Sequence, residues 1–177
     1  LLVEHNLEPV LFSQESLQKW ILASQSLERL PKVHVEWDSG MKRLGFPMSE
    51  AKSIVQQIKE NRVAVASTFS HLVSSNNAQH DTFTQRQIEA FSLCAKHLEK
   101  AIGRPVLKHL ANSSGILRFP SAHFDMVRLG LGLYGYSEPS VAEIQPVLTL
   151  ISRMTQIHHV QKGESVGYDR SFIADRD

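Results

Sequence analysis

Short apolar segments of this chain alternate with longer segments of helical periodicity. The apolar segments are residues 9–12, 33–37, 62–69 and 106–110. Strands that alternate with amphipathic helices form parallel sheets, because each helix carries the chain back to the start of the next strand. The alternation therefore predicts an α/β fold with a parallel sheet. The uninterrupted apolar run at residues 63–66 also favours a strand that is covered on both faces.

Three helices are predicted between these strands. Ser13 can cap the first helix and Ser49 the second, which would cover residues 50–60; the third would cover residues 85–102 and end at Gly103. The apolar face of the first helix includes Leu17, Trp20, Ile21 and Leu27. The polar residues 74–84 predict a surface loop, and residues 124–127 predict one more short strand.

The pattern changes after residue 142. Residues 147–160 contain many β-branched and apolar side chains, and Lys162-Gly163 offers a turn before residues 165–172. We therefore expect two domains, an α/β domain over residues 1–142 and the first strands of a β-rich domain over residues 143–177.

Composition excludes several classes of protein. The 177 residues carry a formal net charge of +1 with no basic run, so we expect no nucleic-acid partner. No apolar stretch approaches the roughly 18 residues of a membrane span, and we expect no membrane partner. Cys94 is the only cysteine, which excludes an intrachain disulfide and favours a cytoplasmic protein.

Five segments carry chemically suggestive residues. Residues 38–45 read D-S-G-M-K-R-L-G, residues 70–72 read S-H-L, residues 109–113 read H-L-A-N-S, residues 127–130 read V-R-L-G, and residues 167–172 read G-Y-D-R-S-F. In this order they resemble segments of the alanine racemases, enzymes that use pyridoxal 5'-phosphate and have an eight-stranded β/α barrel. The resemblance implies a partial TIM-type (β/α)8 barrel, followed by the start of a β-rich domain.

The resemblance also implies a set of cofactor-binding residues. Arg43 would bind the phenolic oxygen of the cofactor, and a permanently charged, planar guanidinium suits that anionic oxygen. Asn112 and Ser113 would open a helix toward the phosphate, with backbone N–H groups of Gly130 and Leu131 as further donors. Taken alone, Arg43 also fits a solvated loop residue and Asn112 a plain helix cap. No metal site is expected.

The catalytic residues implied by the resemblance are Tyr168, His71 and Arg128. Arg128 would face the pyridine nitrogen, and an arginine does not readily give up a proton. His71 would pack on the ring and hydrogen-bond the tyrosine of the other subunit in a homodimer with shared active sites. Tyrosine, with a pKa of about 10, needs such neighbours to act as a base. Alone, His71 fits a structural histidine and Arg128 a structural ion pair.

This sequence departs from the family pattern at several positions. Glu36 stands where the family commonly has a carboxylated lysine, and it would supply the same negative charge to Arg43 as a supporting partner; pairing with another nearby base is equally compatible. Leu129 replaces a proline, Gly167 a serine and Asp169 a glycine. A glycine at the last position can satisfy a backbone shape that aspartate only sometimes adopts.

The lysine that anchors the cofactor in this family lies in an early K-A-N/D-A-Y-G-H-G segment, which these residues do not contain. The chain also starts in mid-pattern, so we expect an internal fragment that is inactive alone. We expect the full-length protein to interconvert L- and D-alanine and to supply D-alanine for bacterial peptidoglycan. Alternatives are a racemase of serine, lysine or a broad range of amino acids, or a catalytically silent barrel that binds the cofactor.

Overall fold

The chain divides into two compact units, Leu1–Val147 and Leu148–Asp177. Their structure is a computed structural model that describes residues 2–26, 30–136 and 144–177. Leu27, predicted on the apolar face of the first helix, and the predicted boundary at residue 143 lie outside these ranges. None of the helices in the described ranges has the length and apolar composition needed to cross a membrane.

The first unit repeats a strand and a helix along the chain. Its elements are β1 Val10–Leu11, α1 Gln14–Ser24, β2 Val33–Asp38, β3 Phe46–Pro47, α2 Ala51–Glu60, β4 Val65–Phe69, α3 Asp81–Ile102, β5 Leu107–His109 and α4 Ser113–Arg118. Strands β1, β2, β4 and β5 lie side by side in chain order, all parallel, and β3 pairs with the end of β2. Sequential parallel strands with helical crossovers form one arc of a (β/α)8 barrel, so the predicted fold class is confirmed.

The core lies between the sheet and its covering helices. It includes Val33, Val35 and Trp37 of β2, Ile54 and Ile58 of α2, and Phe91, Ala95 and Leu98 of α3. Cys94 is buried on α3, and burial raises the pKa of its thiol to about 11. It is therefore a protonated, small core residue.

Of the three predicted helix starts, the first is confirmed and the other two are wrong. Ser13 caps α1 as predicted, accepting a hydrogen bond from the Ser16 N–H at 3.1 Å. The prediction for Ser49 is wrong, because Ser49 lies inside a 3-10 turn at Met48–Glu50 and α2 begins only at Ala51. Helix α3 begins at Asp81 rather than residue 85, after a 3-10 turn that Asn77 caps.

The short strand predicted at residues 124–127 is not formed, and the β-branched residues 147–160 lie outside the observed strands. Residues 124–127 make only an isolated bridge between Met126 and His109, because Phe124 adopts a φ of +46° that interrupts an extended backbone. Residues 147–160 contain no strand, and among the described residues they have no neighbouring strand to complete a ladder of hydrogen bonds. The sheet of the second unit is the antiparallel pair β6 Ser165–Val166 and β7 Phe172–Ile173.

Candidate functional site

The carboxyl ends of β2, β4 and β5 meet at one edge of the sheet, and the loops that follow them carry Arg43, His71, Asn112 and Ser113. Because the strands are parallel, these loops emerge at the same edge. The loops after β4 and β5, together with residues 128–131, line a cavity of about 490 Å³, a volume within the range of small-molecule sites. Its lining includes His71, Asn76, Asn112, Ser113, Arg128, Gly130 and Leu131.

The loop after β2 is ordered by its own backbone. The carboxylate of Asp38 accepts hydrogen bonds from Gly40 N–H at 2.9 Å and Lys42 N–H at 3.0 Å. Burial alone would raise the pKa of Asp38, but these bonds and the nearby charge of Lys42 outweigh it and lower the pKa. Gly45 closes the loop with a φ of +108°. Arg43 lies on this ordered loop with its side chain exposed, and it is not among the residues that line the cavity.

Glu36 is the buried acid of the site, with 7% of its surface exposed. Burial raises the pKa of its carboxyl, and the positive charges of Arg43 and Arg128 act in the opposite direction. Within the described ranges no hydrogen bond or short ion pair joins Glu36 to Arg43. Glu36 therefore interacts through space both with Arg43, the partner that the sequence suggested, and with a second base, Arg128.

Arg128 is the most extensively bonded residue of the site. Its guanidinium donates hydrogen bonds to the backbone oxygens of Ser70 at 2.6 Å and His109 at 3.1 Å, and it also contacts Nδ1 of His109. Burial lowers the pKa of Arg128 from its ordinary value, while Glu36 counteracts this effect. An arginine so placed stays charged and fixed in orientation.

His71 lies beside Arg128 in the lining of the cavity. Its Nδ1 is 3.4 Å from Nη2 of Arg128. Burial lowers the pKa of His71, and the charges of Arg128 and Arg43 lower it further. His71 is therefore neutral at pH 7, and a neutral imidazole can both donate and accept a hydrogen bond.

Asn112 and Ser113 form a compact polar turn at the start of α4. Asn112 caps this helix by accepting from Gly115 N–H at 3.0 Å. The hydroxyl of Ser113 accepts hydrogen bonds of 3.0 Å from the N–H groups of both Gly130 and Gly132. The two predicted phosphate-binding segments are thus directly connected, and the N–H of Gly130 is occupied by Ser113 in this structure.

Tyr168 belongs to the second unit, which is described by itself. Its side chain is 98% exposed within a 3-10 turn at Tyr168–Arg170. Asp169, which replaces the family's glycine, has a φ of +56°, in the left-handed region. The position does require the backbone shape that glycine supplies most easily, and aspartate adopts it here.

Sequence reasoning missed several residues that hold the site together. His109 contacts Arg128, Ser67 bonds His109, and Gln87 of α3 bonds the loops that follow β2 and β4. Ser67 lies in β4 and His109 in β5. The alternation of side chains along a strand predicts the sheet face on which each side chain lies, but it does not predict that these two side chains touch. In the described ranges no cluster of three or more His, Cys, Asp or Glu side chains could hold a metal ion.

Parallel strands joined by helices, with a cavity at their carboxyl ends, define the class of β/α barrel proteins. Comparison with known proteins identifies the family within that class. The profile of the family described as "Alanine racemase, N-terminal domain" matches residues 1–138. The chain is 35% identical to the alanine racemase of Carboxydothermus hydrogenoformans, covering 99% of this chain and 49% of that protein. It is 31% identical to that of Treponema denticola, covering 99% and 48%.

A solved structure gives the same result. The crystal structure of alanine racemase from Bartonella henselae with covalently bound pyridoxal phosphate has a TM-score of 0.73 and 25% identity, over 99% of this chain and 48% of that one. The chain therefore belongs to the alanine racemase family. It spans about half the length of the curated relatives it matches.

Proposed function

We propose that the complete protein carrying these residues is a pyridoxal-phosphate-dependent alanine racemase. The observation that carries the proposal is the convergence of His71, Asn112, Ser113 and Arg128 on one cavity at the carboxyl edge of the sheet. In this assignment residues 1–142 are the later part of the cofactor-binding barrel, and residues 143–177 are the first strands of a C-terminal β domain. The product D-alanine would supply peptidoglycan synthesis in the cytoplasm.

The residues present fit the cofactor chemically. A phosphate group needs hydrogen-bond donors, and Ser113 with the N–H groups of Gly130 and Leu131 provides them if Ser113 turns its hydroxyl toward the anion. Arg43 lies on an ordered loop and can meet the anionic phenolic oxygen. When bound, pyridoxal phosphate withdraws electrons from the α-carbon of an amino acid and makes its proton more acidic.

Arg128 would control how strongly those electrons are withdrawn. Its guanidinium is held by backbone oxygens and His109, so it can present an N–H donor at a fixed place. Because an arginine keeps its protons, the pyridine nitrogen facing it would remain an unprotonated acceptor. Glu36, buried near both arginines, would balance part of their charge.

Tyr168 would move a proton at the substrate α-carbon. Its full exposure in the isolated second unit is compatible with a role in the active site of a partner subunit, as in a homodimer with shared sites. There it would meet the neutral His71 and the charged Arg128, whose field favours the ionised phenol. The lysine expected on the opposite face is not among these 177 residues, so we expect the 177-residue chain alone to be inactive.

The proposal is tested with the product of the complete reading frame, incubated with pyridoxal phosphate and L-alanine in heavy water. We expect exchange of the α-proton together with formation of D-alanine. Tyr168→Phe should lower exchange starting from L-alanine at least about 100-fold, the usual contribution of a general base. Tyr134→Phe, which removes the hydroxyl of a different exposed tyrosine, is the matched control.

Different failures have different meanings. Exchange with serine or lysine but not with alanine would replace alanine by another substrate on the same fold. Binding of the cofactor without exchange of any amino acid would instead identify a catalytically silent barrel.

A further inference from the structure

Four side chains, those of His34, Ser67, His109 and Arg128, form a continuous hydrogen-bonded line on one face of the sheet, and Glu8 lies at ion-pair distance from His34 at its end. Glu8 Oε2 lies 3.2 Å from His34 Nε2, and His34 Nδ1 lies 2.6 Å from Ser67 Oγ. Ser67 Oγ lies 3.1 Å from His109 Nε2, and His109 Nδ1 contacts Nη1 of Arg128. The line connects the amino-terminal edge of the sheet with the cavity at its carboxyl edge.

The strand register explains why these groups meet. His34 of β2 and Ser67 of β4 are direct neighbours in the parallel ladder, so their side chains leave the same face of the sheet. His109 of β5 pairs with Phe69, whose ring stacks on its imidazole with centroids 4.7 Å apart. The stacking fixes the plane of the imidazole. In this plane Nε2 of His109 meets Ser67 and Nδ1 meets Arg128.

The chemistry of the groups gives the line one direction. Arg128 can only donate, so His109 must accept at Nδ1 and carry its proton on Nε2. Nε2 then donates to Ser67, whose own proton goes to Nδ1 of His34. The neutral form of His34 then carries its proton on Nε2, which lies 3.2 Å from Oε2 of Glu8. Each proton of the hydrogen-bonded line therefore has one consistent position from Arg128 to His34.

The surroundings support a neutral His109. It is 6% exposed, and burial, followed by the charges of Arg128 and His34, lowers its pKa to about 4. Protonation would place a hydrogen on Nδ1 of His109. This nitrogen could then no longer accept the hydrogen bond from Arg128. The charged and titratable neighbours that act on His109 are Arg128 and His34, and both act in the same direction.

We propose that His34 and Ser67 are positioning residues that act on Arg128 through His109. They hold His109 in the tautomer that accepts from Arg128, and thereby fix the guanidinium that faces the cavity. The relay itself follows from the hydrogen bonds of this chain alone. Its effect on the cofactor rests on the proposed function.

The first test is the tautomeric state of the histidines in the complete protein, read by ¹⁵N NMR of the imidazole rings without added alanine. Spectra of His109→Gln and His34→Gln assign the two signals. We expect His109 to be neutral at pH 7, and the neutral form of each ring to carry its proton on Nε2. Ser67→Ala should leave His34 in a mixture of tautomers. A charged His109, a proton on its Nδ1, or no response of either ring to Ser67→Ala would overturn the relay.

The second test separates positioning from simple packing. His34→Gln keeps an acceptor for Ser67 and a donor for Glu8, whereas His34→Leu removes both. We expect kcat for alanine to fall about tenfold in His34→Leu and Ser67→Ala, with KM little changed, and to recover most of its value in His34→Gln. The absorption band of the bound cofactor should shift in His34→Leu and Ser67→Ala.

Ser53→Ala, an exposed hydroxyl deletion on α2, is the control. Equal loss in His34→Gln and His34→Leu, at equal thermal stability, would contradict the positioning role. If wild-type protein shows no exchange with any amino acid, the proposed function fails. The NMR experiment still decides whether the relay exists.

Discussion

The amide Nε2 of Gln87 donates a hydrogen bond of 3.1 Å to the hydroxyl of Ser39. Gln87 belongs to α3 and is 1% exposed, whereas Ser39 begins the loop that carries Arg43. The same amide also donates to the backbone oxygen of His71 at 3.2 Å and accepts from Val73 N–H at 3.0 Å. One glutamine therefore ties the loops after β2 and β4 to the same helix.

Replacing Gln87 by leucine should destabilise the protein by about 2 to 3 kcal/mol, because the partly buried backbone groups of His71 and Val73 lose the hydrogen bonds that Gln87 makes to them. Denaturant unfolding measures the loss. Gln85→Leu, on an exposed face of the same helix, is the control and should change stability by less than about 0.5 kcal/mol. Equal effects of the two substitutions would show that Gln87 is not a structural tie.

Gly45 should tolerate no side chain. Its φ is +108°, and an added Cβ would lie 2.5 Å from Asp38 N and 2.6 Å from the carbonyl carbon of Trp37. Gly103 also has a positive φ, but nothing lies within 4 Å of an added Cβ. We expect Gly103→Ala to cost about 1 kcal/mol and Gly45→Ala several times more, since a backbone clash adds to the conformational strain. Thermal unfolding of the two variants side by side tests this difference.

Glu99 should contribute to stability in a pH-dependent way. Burial alone would raise its pKa, but hydrogen bonds from Lys108 Nζ at 2.7 Å and Val106 N–H at 3.1 Å, with the Lys108 charge, lower it overall. A depressed carboxyl pKa stabilises the folded state above the unfolded value, and the gain is lost as pH falls through the folded pKa. Glu99→Gln should cost about 1 kcal/mol at pH 7.

The difference between wild type and Glu99→Gln should shrink as pH falls below 4.5, the ordinary value for this carboxyl. Urea unfolding across pH 3 to 7 measures it. A difference that stays constant over this range would contradict the assigned ion pair with Lys108.

Acidification should destabilise the folded protein because His109 is held in its neutral form. Its pKa is about 4 in the fold against an ordinary 6.5, so the unfolded chain binds a proton first as pH falls. Stability should therefore be unaffected above pH 6.5 and decrease between pH 6.5 and about 4, by up to about 3 kcal/mol. The decrease should be smaller in His109→Gln. If the unfolding free energy of the wild type and of His109→Gln decreased equally with pH over this range, His109 would not be a buried neutral histidine.

The sequence by itself determined the order of strands and helices, because apolar periodicity reflects burial on one helix face or both sheet faces. It placed α1, α2 and α3, the cap at Ser13 and the left-handed helix end at Gly103. Through its resemblance to a known family, the sequence also singled out six residues that line one cavity: His71, Asn112, Ser113, Arg128, Gly130 and Leu131.

Only the tertiary structure decided which groups touch. His34, Ser67 and His109 are 33 and 42 residues apart along the chain, and only the register of parallel strands brings them together. Residues 124–127 lie beside β5, but the left-handed backbone of Phe124 interrupts the predicted strand, whereas residues 147–160 have no neighbouring strand among the described residues. An apolar, β-branched segment becomes a strand only when a neighbour supplies its hydrogen bonds, and that neighbour is a property of the folded sheet.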